Sequence, residues 1–122
     1  MEDSAPSSAT PVGVDEFRAL MEDAGAGAAI APTLRVFLTN AEEQIGLLAE
    51  AVGTRNGPEI ESVAHAMKSG SRTIFARELG DRLEDLEMAA RSGRLPSFDP
   101  LFQKVLEESK VVTTFLTGYL SS

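Results

Sequence analysis

Apolar residues recur along most of this chain at three- and four-residue intervals, the spacing that gathers them on one face of an α-helix. Val14, Phe17, Leu20 and Met21 mark a short first helix, which the Gly25 and Gly27 region stops. Pro32 suits a first helical position, and after it Leu34, Phe37, Leu38, Ala41, Ile45, Leu48 and Val52 form one stripe. Asn56-Gly57-Pro58 ends that second helix and opens a third, with Glu59 and Glu61 near the positive end of its dipole. The third helix carries Ile60, Val63, Ala64, Met67 and Ile74, and a fourth carries Leu79, Leu83, Leu86 and Ala90 before Gly93 and Pro96 end it. Asp99 and Pro100 read as cap and first residue of a fifth, whose Leu101, Phe102, Val105, Val112, Leu116 and Tyr119 face inward. Strict apolar–polar alternation is absent, which argues against a sheet. The pattern predicts an all-α fold, an antiparallel four-helix bundle with an additional short N-terminal helix.

Residues 1–13 hold no large apolar side chain except Met1 and Val12, so a flexible tail or linker is expected there and the bundle over 14–122. At 122 residues the chain fits one domain with one core. Nineteen Asp and Glu against 11 Lys and Arg leave a net charge of -8, which disfavours nucleic acid and anionic membrane surfaces as partners. The absence of cysteine removes disulfides and thiolate metal sites, and one histidine cannot build a multi-histidine metal centre, so no metal is expected. Met1-Glu2-Asp3 is unlike a secretory signal, and no apolar run is long enough to span a bilayer, so a cytoplasmic location is expected. Stripes that point inward leave no apolar seam outside beyond Val111 and Phe115, so a monomer is expected.

The third helix is the one place where chemistry is concentrated. With Met67 at the centre of its buried stripe, a turn of about 100° per residue puts His65 about 160° away, facing water. Glu61, Lys68, Ser69 and Arg72 share that polar face, and the last three follow His65 by three, four and seven residues. Neutral imidazole is nucleophilic near pH 7 and can carry a phosphoryl group on a ring nitrogen. The two cations could offset the charge such a group brings, and Ser69 leaves the ring uncrowded for a partner. Taken alone, an exposed histidine among charges is more often a solvated side chain.

The stretch from Ala64 to Leu79, Ala-His-Ala-Met-Lys-Ser-Gly-Ser-Arg-Thr-Ile-Phe-Ala-Arg-Glu-Leu, resembles the signature of histidine-containing phosphotransfer (HPt) domains. Lys68 matches the family's lysine, Ser69-Gly70-Ser71 its small run, Ile74 its apolar position, Ala76 its alanine and Leu79 its leucine. Leu83-Glu84-Asp85-Leu86-Glu87 is similar to the Leu-Glu ending of the next helix. Two positions depart from the pattern: Phe75 stands where a turn glycine is usual, and Ser69 where glycine is frequent. The resemblance implies a phosphorelay intermediate in which His65 carries a phosphoryl group between receiver-domain aspartates, on a response regulator and on a hybrid histidine kinase. It implies Lys68 as the main phosphate-stabilising cation, Arg72 as a secondary cation or docking residue, and Ser69 as the small neighbour that permits approach. No cofactor of the chain's own is implied, because Mg²⁺ belongs to the receiver, and no enzyme activity beyond carrying the phosphoryl group. A docking surface on the outward face of the third helix with part of the second, including Arg35, Thr39 and Glu42, is expected from geometry. The alternatives are a phospho-accepting domain of a chemotaxis-type kinase and a helical docking or dimerisation module in which His65 has no chemistry.

Overall fold

The computed structural model describes residues 10–122. Five α-helices follow one another: α1 (Val14–Asp23), α2 (Ile30–Gly53), α3 (Gly57–Thr73), α4 (Arg77–Arg91) and α5 (Phe98–Ser121). Short 3₁₀ turns, Gly27–Ala29 and Leu95–Ser97, lead into α2 and α5. Helix α3 packs most closely on α4, and α2 and α5 complete the ring by packing on their sequence neighbours and on each other. Links of a few residues between long helices leave only antiparallel neighbours. Accordingly the end of α2 lies beside the start of α5, where Arg55 Nη2 donates to Asp99 at 2.8 Å.

The inward stripes meet in one core. Leu34, Leu48, Ile60, Met67, Ile74, Leu79, Leu83, Leu86 and Leu116 are all fully buried. Burial of each such side chain contributes roughly 1.5–3 kcal/mol, which outweighs helix propensity in deciding where the helices lie. Helix α3 starts where the Asn-Gly-Pro signal put it: the Asn56 side chain accepts from the Glu59 N–H at 3.2 Å, and Pro58 lies in the first turn. Ser71, the polar residue on its buried face, is satisfied by donating to the Met67 carbonyl at 2.8 Å.

Some expectations at helix ends are corrected. Helix α2 begins at Ile30, two residues before Pro32, because the preceding 3₁₀ turn runs into it. Helix α5 begins at the fully buried Phe98, so Asp99 lies inside the first turn instead of capping it, and its carboxylate turns to Arg55. Leu20 of α1 is exposed, whereas Phe17 carries that helix into the core.

Helix α1 covers the end of the bundle where α3 stops, α4 starts and α5 ends. Arg18 hydrogen-bonds Tyr119 of α5, and Arg77 grips Glu16 with two bonds of 3.0 and 2.7 Å. Of the expected tail over 1–13, residues 1–9 lie outside the described residues. In the part that is described, Val12 is fully buried and the Gly13 N–H donates to the Phe75 carbonyl at 2.9 Å, so the packed domain starts before residue 14. One apolar side chain sufficed to dock this segment because a core site at the bundle end was open to it.

Phe75, the residue in place of the turn glycine, adopts φ 64°, in the left-handed region that costs a bulky side chain roughly 1–2 kcal/mol. Its half-buried ring packs against the core at the start of α1 and stacks under the Arg77 guanidinium, 5.1 Å from the ring centre. That packing and the cation–π contact offset the strain, and α3 stops at Thr73 just before this turn. Among the described residues no helix is long and apolar enough to cross a membrane.

Candidate functional site

The register of α3 against α4 decides what each polar side chain of α3 meets. The two helices run antiparallel, and their facing flanks form a charged ladder: Glu61 opposite Arg91, His65 and Lys68 opposite Glu87, Arg72 opposite Glu84 and Asp81.

His65 projects outward with its side chain 62% exposed, while its Nδ1 lies 3.0 Å from Glu87 Oε2. An ionised carboxylate can only accept, so the ring proton belongs on Nδ1 and the Nε2 lone pair is left free. The imidazole is therefore held at one nitrogen and available at the other.

Glu87 is the residue that the sequence reading passed over. Its side chain is only 4% exposed, and Lys68 Nζ approaches its Oε1 at 2.7 Å. That ion pair is the contact Oε1 makes in its buried position. Arg91 donates to Oε2 at 2.9 Å and, through Nε, to Glu61 at 2.8 Å. Burial pushes the Glu87 carboxyl up, and the Lys68 ammonium and His65 ring together outweigh it, holding the group below the ordinary carboxylate range. A signal was present: Glu87 lies about 40° from Leu83 on the helical wheel, on the apolar stripe, and a carboxylate there needs a buried partner.

Lys68 is 16% exposed and so is far less solvated than the wheel implied, because its stem lies along α4 on the way to Glu87. Its ammonium shares Glu87 with the imidazole, which puts it beside the ring. Arg72 is directed elsewhere. Its Nη2 reaches Glu84 at 2.9 Å and Asp81 at 3.3 Å, and its stem crosses Gly80, where a Cβ would stand 3.0 Å from Arg72 Cγ. Two carboxylates of its own chain pair with it, about 10 Å along the axis from His65.

On its other flank α3 presents Ser69, exposed, beside Ala66 and Gly70. A shallow groove there is lined by Ala66, Gly70 and Thr73 of α3 and by Val36, Asn40 and Gln44 of α2. Val36 is an exposed apolar residue in this groove. Of the expected docking residues of α2, Thr39 and Glu42 line the α2–α5 groove, and Arg35, although exposed, is not among the residues lining the groove beside α3.

The family model described as Hpt domain matches residues 33–116. Among solved structures, the crystal structure of histidine-containing phosphotransfer protein B (HptB) from Pseudomonas aeruginosa PAO1 is similar in fold, with a TM-score of 0.84 and 23% sequence identity over 97% of each chain. No curated protein matches the chain. The matched span takes in nearly all of α2, the whole of α3 and α4, and most of α5, the helices that build the bundle around the exposed imidazole. The chain thus belongs to the Hpt domain family, the histidine phosphotransfer proteins that exchange phosphoryl groups with receiver domains in two-component phosphorelays.

Proposed function

We propose that His65 is the phosphoryl carrier, taking the group on Nε2 from a phospho-aspartate of one receiver domain and giving it to an aspartate of another. The observation that carries this reading is the ring itself, the chain's one histidine, exposed on α3 with Nδ1 bonded to Glu87 and Nε2 facing solvent. The Nε2 lone pair attacks phosphorus in line, the P–O bond to the donor carboxylate breaks, and the electron pair leaves with that carboxylate. Lys68 is the cation that meets the phosphoryl oxygens, and Ser69 keeps the approach open. The Mg²⁺ and the acidic pocket of the reaction belong to the receiver, and this chain supplies no cofactor. The receiver docks over α3 and the adjoining α2 flank, with Val36 and Gln44 at the rim and Arg72 at the far end. The chain acts as a cytoplasmic monomer without turnover of its own.

The test is phosphotransfer from a receiver domain phosphorylated with acetyl phosphate to the wild-type chain and to His65→Gln, read under alkaline conditions that preserve phosphohistidine. Label on the wild type only is the expected result. Label that requires a kinase domain with ATP would make the chain a phospho-accepting domain of the chemotaxis type. Label on neither, with partner binding intact in His65→Gln, would make it a docking module.

A further inference from the structure

The charges around His65 balance before any phosphoryl group arrives. Glu87 and Glu61 supply two negative charges, Lys68 and Arg91 two positive ones, and the imidazole is neutral with its proton on Nδ1. The two cations on Glu87 are bound differently. Arg91 donates to Glu87 and is anchored a second time by Glu61, whereas Lys68, 2.7 Å from Oε1, has no second anchor among the described residues. Lys68 is therefore the cation free to leave.

It has reason to leave once His65 is loaded. When Nε2 bonds phosphorus, the Nδ1 proton stays on the ring, which becomes positive, and the phosphoryl oxygens bring close to two negative charges one turn from Lys68. An ammonium that swings to them leaves behind a carboxylate whose side chain is 4% exposed. A buried carboxylate that loses a cation is disfavoured, so the lysine can move only because the positive ring and the Arg91 guanidinium both remain on Oε2.

We propose that Arg91 is a positioning residue for phosphotransfer: together with the ring it keeps Glu87 neutralised while Lys68 moves from that carboxylate to the phosphoryl group on His65. Glu61, by holding Arg91 Nε, keeps the guanidinium in place through the exchange. This inference rests on His65 being the carrier and Lys68 its cation.

The experiment compares transfer rates from an acetyl phosphate-loaded receiver domain to the full chain as wild type, Arg91→Gln, Arg91→Lys, Glu87→Gln and the double variant Arg91→Gln/Glu87→Gln. Arg91 is 58% exposed, so its replacement leaves the bundle folded, which thermal melting verifies. Arg91→Gln is expected to slow transfer about tenfold, which corresponds to roughly 1.4 kcal/mol of barrier. Arg91→Lys, a cation that cannot bridge both carboxylates, is expected to fall between it and the wild type. With Glu87 already neutral, losing Arg91 is expected to cost less than twofold, so the double variant matches Glu87→Gln. A residue that merely stiffened α4 would slow both backgrounds alike, and that result would overturn the proposal. So would wild-type rates in Arg91→Gln. An unlabelled wild type would instead remove the carrier reading and this inference with it.

Discussion

Replacing Glu87 by Gln changes one oxygen of a carboxylate whose side chain is 4% exposed and leaves shape and volume nearly intact. The loss is therefore electrostatic. Breaking a fully buried ion pair by removing one partner costs about 3–5 kcal/mol. Here the stranded groups have exits: Arg91 keeps Glu61, Lys68 is near enough to the surface to extend into water, and the amide oxygen still accepts one N–H bond. The expected destabilisation at pH 7 is accordingly about 1–2 kcal/mol, or roughly 0.5–1 M in the urea midpoint of a domain this size. Its pH dependence follows from the lowered pKa of Glu87 in the folded chain. A group with a depressed folded pKa stabilises the fold above its unfolded value, and the contribution is lost as pH falls through the folded value. The gap between wild type and Glu87→Gln should thus be full at pH 7, persist down to the ordinary carboxylate range, and close below it, where both side chains are neutral. Urea unfolding followed by helical circular dichroism at several pH values between 7 and 3 measures it. A gap that does not change with pH, or a variant as stable as the wild type at pH 7, would show that Glu87 is not the charged hub of this site.

Other substitutions separate the parts of the site. Lys68→Ala is expected to shorten the lifetime of phosphohistidine in the isolated chain several-fold while Arg72→Ala leaves it unchanged, because Asp81 and Glu84 already occupy Arg72; decay curves of the labelled protein, quenched and read under alkaline conditions, decide this. Ser69→Leu places a branched side chain one turn from the ring and should slow transfer from a receiver more than tenfold without shifting the melting temperature. Val36→Asp, in the groove between α2 and α3, should weaken receiver binding by about 1 kcal/mol in titration calorimetry, whereas Thr39→Asp, in the α2–α5 groove, should not. Met67→Ala removes a buried side chain at the centre of α3 and is expected to cost about 2–5 kcal/mol of stability in urea.

Much of this protein is written locally. The stripe through Ile60, Val63, Ala64 and Met67 fixes the inner face of α3, and a rotation of about 100° per residue then fixes His65 on the outer one, whatever the rest of the chain does. The Asn-Gly-Pro start of α3 and the stop at Gly93 are equally local, since capping and left-handed backbone depend on neighbours in sequence. Phe75 shows where that stops: its side chain disfavours φ 64°, and compensation needs α1, far away in sequence, as well as Arg77 two residues on. Val12 likewise looked too isolated to order a tail, until the bundle end offered it a core site.

The site divides in the same way. Periodicity put His65, Lys68 and Arg72 on one flank of α3 but said nothing about which side chains of α4 would face them. That depends on the antiparallel register of two helices, a property of packed cores and not of either helix alone. The register gives Glu87 to both His65 and Lys68 and takes Arg72 away to Glu84 and Asp81, while the packing of α2 against α3 brings Val36 to the groove between them. The sequence by itself determined the fold class and an outward imidazole, because both follow from the helical repeat. Only the tertiary structure decided which nitrogen of that imidazole is free and which cation stands beside it, because partners from different helices meet only once the core has set the distance and slide between them.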